Sequence, residues 1–184
     1  YIADLATQVL AADPAITSLP NHEQTVAFRE AGYQLQLRQQ QKTLNSFHTY
    51  FDSWFSERSL HADGGVDRAL EKLRGQGHVY ELDGAVWLRT TDFGDDKDRV
   101  LVKANGDLTY FASDCAYYVN KRDRGFTTCL YLLGADHHGY VNRLKAVAAC
   151  AGDDPAITIE VLIGQLVKTM RDGKEVKLSK RAGE

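Results

Sequence analysis

From position 128 to position 140 the chain reads Thr128-Cys129-Leu130-Tyr131-Leu132-Leu133-Gly134-Ala135-Asp136-His137-His138-Gly139-Tyr140. The apolar run from Thr128 to Leu133 predicts a buried β-strand, and Gly134-Ala135-Asp136 predicts a tight turn. Apolar side chains then recur at helical spacing from Tyr140 to Ala151, and a second apolar segment spans Ile157 to Val167. This order predicts a βα unit of an open parallel sheet, and hence an α/β fold.

Such sheets bind their ligands beyond the carboxyl ends of the strands. We therefore expect the segment from Gly134 to Gly139 to border a crevice. A basic segment further on, Lys177-Leu178-Ser179-Lys180-Arg181, is suited to polyphosphate because its cations flank a hydroxyl group. A basic segment of this composition is also typical of a solvated tail. A functional role for it is therefore indicated by the predicted crevice and not by its composition.

The N-terminal part of the sequence has helical spacing with one exception. The pattern from Tyr1 to Ala12 predicts a short amphipathic helix, and His22 to Phe47 predicts a long exposed helix. From Tyr50 to Glu57 the side chains alternate, which predicts a strand with both faces partly covered. Gly64-Gly65 begins another helix, which we expect to end at Gly75 or Gly77.

A β-rich segment follows. Val79 to Leu82, an Asp83-Gly84 turn and Val86 to Arg89 predict a hairpin, and Arg99 to Lys103 predicts a further strand. The very acidic segment from Thr91 to Asp98 has two interpretations, a solvated loop between strands or a segment close to a substrate.

The composition excludes several classes of protein. The 184 residues correspond to about one domain, and 22 basic against 25 acidic residues argue against coating of nucleic acid by bulk charge, so that any RNA contact is local. Three widely spaced cysteines, Cys115, Cys129 and Cys150, indicate reduced thiols of a cytoplasmic protein rather than a disulfide framework or a zinc site. Neither a membrane span nor a signal peptide is predicted.

Tyr110 and Asp114 are the first candidate site residues. They lie four positions apart, so their side chains share a face if a helix begins near Tyr110. The alternative from spacing alone is an aromatic core residue and a capping carboxylate. We predict helix from Asp114 to Asn120.

The second candidate is the block Asp136-His137-His138-Gly139, which follows a strand and opens a helix, where backbone N–H groups favour anions. Adjacent histidines diverge on a helix and make a poor metal pair. The carboxylates of Asp114 and Asp136 suit a cationic substrate, and fixed paired acceptors favour guanidinium over ammonium. The sequence contains neither a Walker loop nor a nucleophile elbow, so covalent catalysis by the protein is not predicted.

Taken in order, these motifs resemble the catalytic domain of bacterial arginyl-tRNA synthetases. The resemblance rests on the segments 94–100, 108–114, 134–140 and 177–181, and is strongest from Phe93 to Gly183. The segment from Lys177 to Arg181 is similar to the family's KMSKR signature, with Leu178 in place of Met.

The resemblance implies the second half of a Rossmann-like (HUP-type) class I synthetase nucleotide-binding fold with a connective insertion of helices and antiparallel strands. Residues 1–107 would form the insertion, and residues 108–184 the second half, ending in the KMSKR loop. The family's HIGH signature is missing from the sequence. We therefore expect a fragment that lacks the first half of the fold, the tRNA-contacting domain and the anticodon-binding helices, and that is inactive alone.

The implied activity is activation of arginine with ATP and Mg²⁺ and its transfer to tRNA(Arg), by a monomer. Arginine binding is implied for Tyr110, Asp114, Asp136 and His137, without a decision on which of the last two makes the contact. ATP binding is implied for His138, Gly139, Gln165, Val167, Lys168, Lys177, Lys180 and Arg181. Catalytic roles are implied for Lys177, Ser179 and Lys180, and no residue is assigned to a metal ion.

Two alternatives remain open on sequence. Another nucleotidyl-transferring enzyme of this fold would share the basic segment but would have no need of carboxylates around a guanidinium. A module that binds nucleotide or RNA without turnover would also fit a chain without the HIGH signature.

Overall fold

The computed structural model describes residues 1–165 and 167–176. The chain divides into two compact units, one formed by Tyr1–Trp54 with Thr169–Glu184 and the other by Phe55–Lys168. Within the described ranges no helix is both long and apolar enough to span a bilayer.

The helices, in chain order, are α1 (Ile2–Ala12), α2 (Asn21–Ser46), α3 (Glu57–Ala62), α4 (Gly65–Gly75), α5 (Tyr110–Asp123), α6 (Tyr140–Cys150) and α7 (Pro155–Thr158). The strands are β1 (Val79–Leu82), β2 (Ala85–Leu88), β3 (Arg99–Val102), β4 (Cys129–Gly134), β5 (Ile159–Gly164), β6 (Thr169–Arg171) and β7 (Lys174–Val176). Short 3₁₀ turns lie at Pro14–Ser18, Thr90–Phe93 and Ala135–His137.

The unit that contains the chain's first residues consists of α1, α2 and the β6–β7 hairpin. Val9 and Ile16 are buried where α1 and the first 3₁₀ turn meet α2. The predicted long helix is confirmed as α2, and it is exposed as expected, with no buried residue along its length.

The core of the other unit lies between α4, α5, α6 and the strands. Its fully buried side chains include Leu73, Leu88, Leu101, Tyr118 and Val147. Burial of large apolar side chains is the main contribution to stability here, at about 1.5–3 kcal/mol for each. The mixed α/β fold is therefore confirmed, with parallel and antiparallel sheets in one unit.

Strands β4 and β5 form the parallel pair that the sequence predicts. Their register runs from Cys129 opposite Ile159 to Gly134 opposite Gly164. Both strands therefore end level, and the segments that follow them leave from the same edge.

The prediction that the strand from Thr128 to Leu133, observed as β4, is buried is wrong for one of its two faces. Leu130 and Leu132 are 55 % and 74 % exposed, and Leu162 on β5 is 45 % exposed. An apolar run predicts cover on both faces, but in the described chain packing occurs on the face of Cys129 and Ile159.

The antiparallel sheet has the order β1-β2-β3, and the predicted hairpin forms its first two strands. Asp83 and Gly84 connect the first two strands with φ of 52° and 74°, which is a type I′ turn that the right-handed strand twist favours.

The predicted strand from Tyr50 to Glu57 is wrong. Residues 50–56 are irregular, and Glu57 begins α3, a helix that the sequence analysis missed. Alternating side chains do not make a strand unless a neighbour pairs with its backbone, and this segment has no such neighbour among the described residues. One aromatic side chain of this segment packs against a helix instead, since Phe55 stacks on Tyr117 of α5 with ring centroids 4.6 Å apart.

A buried polar network ties α5 to the segment between α6 and β5. The Tyr118 hydroxyl donates to Asp153 Oδ2 at 2.6 Å and lies 3.1 Å from Thr158 Oγ1. Arg122 donates from Nε to the same carboxylate oxygen at 3.0 Å and also bonds the carbonyl of Thr127. Two side chains of α5 thus bind the Asp153 carboxylate, and this fixes the position of α5 against the segment that leads into β5.

We expect Tyr118→Phe to lower the free energy of unfolding by about 1–2 kcal/mol, because the buried hydroxyl makes a hydrogen bond to a charged group. Urea denaturation measures the change. Tyr117→Phe is the matched control, since this neighbouring hydroxyl has no hydrogen-bond partner in the described ranges. Equal losses in the two variants would contradict a role for the network.

Candidate active site

The candidate site begins where β4 ends. A Cβ atom on Gly134 would lie 2.6 Å from Asp136 Oδ1, so no other residue fits while that carboxylate folds back over the strand end. The 3₁₀ turn Ala135–His137 then leads into α6, which begins at Tyr140. The predicted strand, turn and helix are confirmed at this position.

A cavity of about 360 Å³ opens at the start of α6. Its lining residues are Asp95, Asp96, Asp136, His137, Gly139, Tyr140, Asn142 and Arg143. Of the predicted site residues, Asp136, His137 and Gly139 are thus brought together, and His138 is exposed. Carboxylates outnumber cations in this lining, so it favours a cationic group more than the anion that a helix start alone suggests.

The acidic segment from Thr91 to Asp98 borders this cavity and is not a plain solvated loop. Asp98 accepts hydrogen bonds from the hydroxyls of Tyr80 at 2.9 Å and Thr91 at 2.7 Å. The side chain of Asp95 is only 2 % exposed. The interpretation as a solvated loop is therefore wrong for these two carboxylates.

Asp95 forms a bidentate ion pair with Arg99. The guanidinium donates from Nε to Oδ2 and from Nη2 to Oδ1, both at 2.8 Å, and it also pairs with Asp96. Burial by itself raises the pKa of Asp95, but the hydrogen bonds from Arg99 and the Asp96 amide outweigh it and lower the pKa to about 2. This carboxylate is therefore ionised throughout the physiological range.

Helix α5 begins at Tyr110, which is the condition for Tyr110 and Asp114 to lie on the same face of the helix. The hydroxyl of Thr109 caps the helix by accepting from the Ala112 amide at 3.3 Å while it donates to the Val100 carbonyl at 2.7 Å. Because Tyr110 is 90 % exposed and the cap is Thr109, the alternative of a core tyrosine and a capping Asp114 is wrong.

Asp114 is half-buried and has no hydrogen bond or ion pair in the part of the chain that is described. Burial raises its pKa, and the negative charge of Glu57 raises it further, while Arg143 and Lys121 oppose the shift. A desolvated carboxylate without a partner is the kind of group that functional sites contain.

Tyr110 lines a second cavity, of about 480 Å³. The other lining residues are Glu57, His61, Lys103, Asp107, Leu108, Thr109 and Ser113. Of the predicted arginine contacts, Tyr110 lines this cavity and Asp136 with His137 line the cavity at the start of α6. Asp114 is not among the lining residues of either cavity.

Sequence reasoning missed Arg143 and the role of Asp95. Arg143 lies three positions after Tyr140, a helical spacing at which side chains meet, and its guanidinium carbon is 4.1 Å from the Tyr140 ring centroid. The three-residue spacing of Tyr140 and Arg143 in the predicted helix could therefore have indicated that their side chains are in contact.

The predicted adenine contacts Gln165, Val167 and Lys168 follow β5 directly. Gln165 is exposed and Val167 is 92 % exposed, at the edge of the sheet shared with Gly134. Lys177, Ser179, Lys180 and Arg181 lie outside the described residues. Their predicted roles therefore remain predictions.

A parallel βα unit with an open edge, joined to an antiparallel sheet and helices, is the architecture of a class I synthetase catalytic domain. The family model for "tRNA synthetases class I (R), catalytic domain" matches residues 18–184. The chain belongs to this family.

Curated relatives extend the match along the whole chain. Proteins named arginine–tRNA ligase from Renibacterium salmoninarum and Frankia alni are 57 % and 56 % identical over 183 residues, which is 100 % of this chain and 33 % of each relative. The chain thus spans about a third of the length of the curated relatives that it matches.

Solved structures agree with the fold. A crystal structure described as an arginyl-tRNA synthetase of Campylobacter jejuni superposes with a TM-score of 0.83 at 31 % identity, covering 95 % of this chain and 38 % of the other. An arginyl-tRNA synthetase of Thermus thermophilus has a TM-score of 0.63 at 18 % identity, covering 85 % and 34 %, and supports the fold alone.

We expect Asp95→Asn to lower the free energy of unfolding by about 3 kcal/mol, because it leaves the largely buried Arg99 guanidinium with only the exposed Asp96 as a charged partner. The folded-state pKa of about 2 lies below the ordinary 3.8, so this stabilisation is complete above the ordinary pKa and is lost as the pH falls toward the folded value. Urea titrations over the acidic range measure the difference from the parent protein.

Asp96→Asn is the control, because Asp96 pairs with the same guanidinium but has a side chain that is 73 % exposed. Its loss should stay within about 1 kcal/mol, the range of surface ion pairs. A difference between Asp95→Asn and parent that does not shrink on acidification would contradict the assignment.

Proposed function

We propose that this chain forms part of the arginine-activating site of an arginine–tRNA ligase, which joins arginine to AMP from ATP and transfers it to tRNA(Arg). The observation that carries the proposal is Asp114, a half-buried carboxylate without a described partner, on the face of α5 that begins at the exposed Tyr110. Family membership supplies the reaction class.

The chemistry of Asp114 favours a guanidinium. A carboxylate can accept two parallel N–H bonds from this planar cation, which is geometry that an ammonium does not offer. Because Asp114 is partly desolvated, the attraction to a cation is stronger than at an open surface. The phenol of Tyr110 stands one helical turn away and would cover the aliphatic part of the substrate.

Asp136 and His137 are proposed as the second set of arginine contacts. The His137 ring nitrogen Nε2 is 3.6 Å from Asp136 Oδ2, and both side chains are more than half exposed. Asp136 could accept hydrogen bonds from the substrate's amino group, and His137 could donate one to its carboxylate, so the choice between the two residues stays open.

ATP is proposed to lie along the shared edge of β4 and β5. The backbone at Gln165, Val167 and Lys168 would meet the adenine, and His138 with Gly139 would approach the nucleotide from the start of α6. Lys177, Lys180 and Arg181 would hold the phosphates. Mg²⁺ is proposed to enter bound to ATP.

In the proposed reaction a carboxylate oxygen of arginine bonds to the α-phosphorus of ATP, and the bond from that phosphorus to pyrophosphate breaks. A terminal ribose hydroxyl of the tRNA then attacks the activated carbonyl, and AMP leaves. The protein contributes orientation and charge, with Lys177, Ser179 and Lys180 stabilising the departing pyrophosphate. We place the enzyme in the cytoplasm, in keeping with three buried free cysteines, and we expect the full-length protein to be a monomer.

We expect Asp114→Asn, in a protein of the relatives' full length that carries this sequence, to raise the KM for arginine by about 10²-fold, because a charge-assisted bidentate contact is lost. Aminoacylation of tRNA(Arg) with labelled arginine measures the effect. Citrulline, the neutral isostere, should compete poorly with arginine in the parent and relatively better in the variant.

Asp123→Asn is the matched control, since Asp123 is an exposed carboxylate at the far end of the same helix. Its KM should equal that of the parent. Unchanged arginine KM in Asp114→Asn would remove the basis of the proposal.

Activity with another amino acid would favour a different nucleotidyl-transferring enzyme, and nucleotide binding without turnover would favour a binding module.

We expect Lys180→Ala to lower the kcat of adenylate formation by about 10²-fold, the scale of one preorganised charge contact in a transition state. ATP–pyrophosphate exchange with tRNA present measures this step. Lys174→Ala, in the exposed β7, is the control and should leave the exchange rate unchanged. Equal rates for Lys180→Ala and the parent would refute the assigned role.

A further inference from the structure

The cavity of about 480 Å³ that Tyr110 lines is formed in part by α3, a helix that the proposed reaction does not yet use. Two residues of this helix, Glu57 and His61, belong to the lining. The rest of the lining belongs to the connection between β3 and α5 and to the first turn of α5, which contributes Tyr110 and Ser113. One helix around the cavity therefore carries a proposed arginine contact, and the other has no role assigned to it.

Helix α3 has to be held in place by the elements around it. It spans only Glu57–Ala62, which is too short for a helix to be stable by itself. Leu60 anchors it in the core and is 1 % exposed. Next to Leu60, His61 Nε2 lies 3.1 Å from Ser113 Oγ, a hydrogen bond between residues 52 positions apart. The contact of α3 with α5 therefore includes a directional bond as well as apolar packing.

Ser113 is a buried partner for this bond, since it is only 4 % exposed. A serine within a helix often turns back to a carbonyl of its own helix, but here the hydroxyl reaches a side chain of another helix. A hydroxyl at such burial needs a hydrogen-bond partner. A neutral imidazole can accept from or donate to it, and a protonated imidazole can donate to it, so the bond survives a change of charge on His61.

The bond joins the two helix faces that border the cavity. On α5, Ser113 lies three positions and Asp114 four positions after Tyr110, the spacings at which helical side chains are neighbours. On α3, Glu57 lies four positions before His61. A change in the position of α3 would therefore alter the space beside Tyr110 and would move the Glu57 carboxylate in the lining.

We propose that His61, through its hydrogen bond to Ser113, is a positioning residue that holds α3 as one wall of the arginine site beside Tyr110. The proposal rests on the proposed function, because Tyr110 is an arginine contact there. His61 acts through Ser113 and does not touch the reacting atoms. Its bond fixes the width of the cavity that the substrate side chain enters, and it keeps a carboxylate, Glu57, in a lining that receives a cation.

The test is a double-mutant cycle with His61→Leu, Ser113→Ala and the two together, in a protein of the relatives' full length that carries this sequence. Each single variant breaks the bond, so we expect each to raise the KM for arginine by about 5- to 10-fold, the scale of one hydrogen bond. The double variant should have the same KM as the single variants, because there is only one bond to lose. The kcat at saturating arginine should change by less than about 2-fold, since binding and not the chemical step is altered.

His61→Gln is the variant expected to restore binding, because the glutamine amide extends about as far as the imidazole Nε2 and can bond the same hydroxyl. Ser59→Ala is the matched control. The Ser59 hydroxyl donates to the Ser56 carbonyl at 2.7 Å at the start of the same helix, so this variant removes a hydrogen bond of α3 and leaves its link to α5. It should lose stability in urea without a change in the KM for arginine.

A bond with a purely structural role would give a different result. His61→Leu and Ser113→Ala would then be less stable in urea but would keep the parent's KM for arginine, and this outcome would overturn the inference. Effects that simply add in the double variant would overturn it as well. If His61→Leu does not fold, Ser113→Ala, which removes a single oxygen atom, and His61→Gln provide the comparison.

Failure of the proposed function can be told apart from failure of this inference. In the first case the parent protein would neither bind arginine nor charge tRNA(Arg), and Asp114→Asn would not change its behaviour. A parent that charges tRNA(Arg), together with an unchanged KM for arginine in Ser113→Ala, would overturn the inference alone.

Discussion

The parallel pairing of β4 with β5 is the constraint on which the candidate site depends. Because Gly134 and Gly164 lie opposite each other, the turn that carries Asp136 and the segment that begins at Gln165 leave the sheet from one edge. A shift of register by one residue would reverse the side-chain faces and separate the two segments. The Tyr118 network supports this register by tying α5 to the chain just before β5.

Ion pairs between charged side chains also determine how the elements around the candidate site are arranged. Asp95 is buried with Arg99, and this pair brings the acidic segment against the start of α6, where Arg143 lies. Buried ion pairs often add little net stability, so their usual contribution is specificity of arrangement. Here that arrangement brings the segment between β2 and β3 against α6.

Much of the fold could be predicted because local patterns and tertiary packing agree. The hairpin at Asp83-Gly84 and the strand and helix around Gly134 appear where the sequence indicates, and the helix predicted from Asp114 to Asn120 is the middle of the longer α5. The strand predicted from Tyr50 failed because alternation describes side chains, whereas a strand requires a partner for its backbone. Of the candidate site, Tyr110, Asp114, Asp136 and His137 were predicted from motifs, while Arg143 was missed.

The sequence by itself determined the class of fold, the family and the types of side chain available to a cationic substrate, because turn residues, apolar periodicity and motif spacing are local properties. Only the tertiary structure decided that Asp95 is buried, that Asp114 has no described partner and that Arg143 lies 3.9 Å from Asp95. Burial and charge coupling depend on which elements pack together, and residues far apart in the chain set them. The same is true of the exposed face of β4, which the apolar run could not reveal.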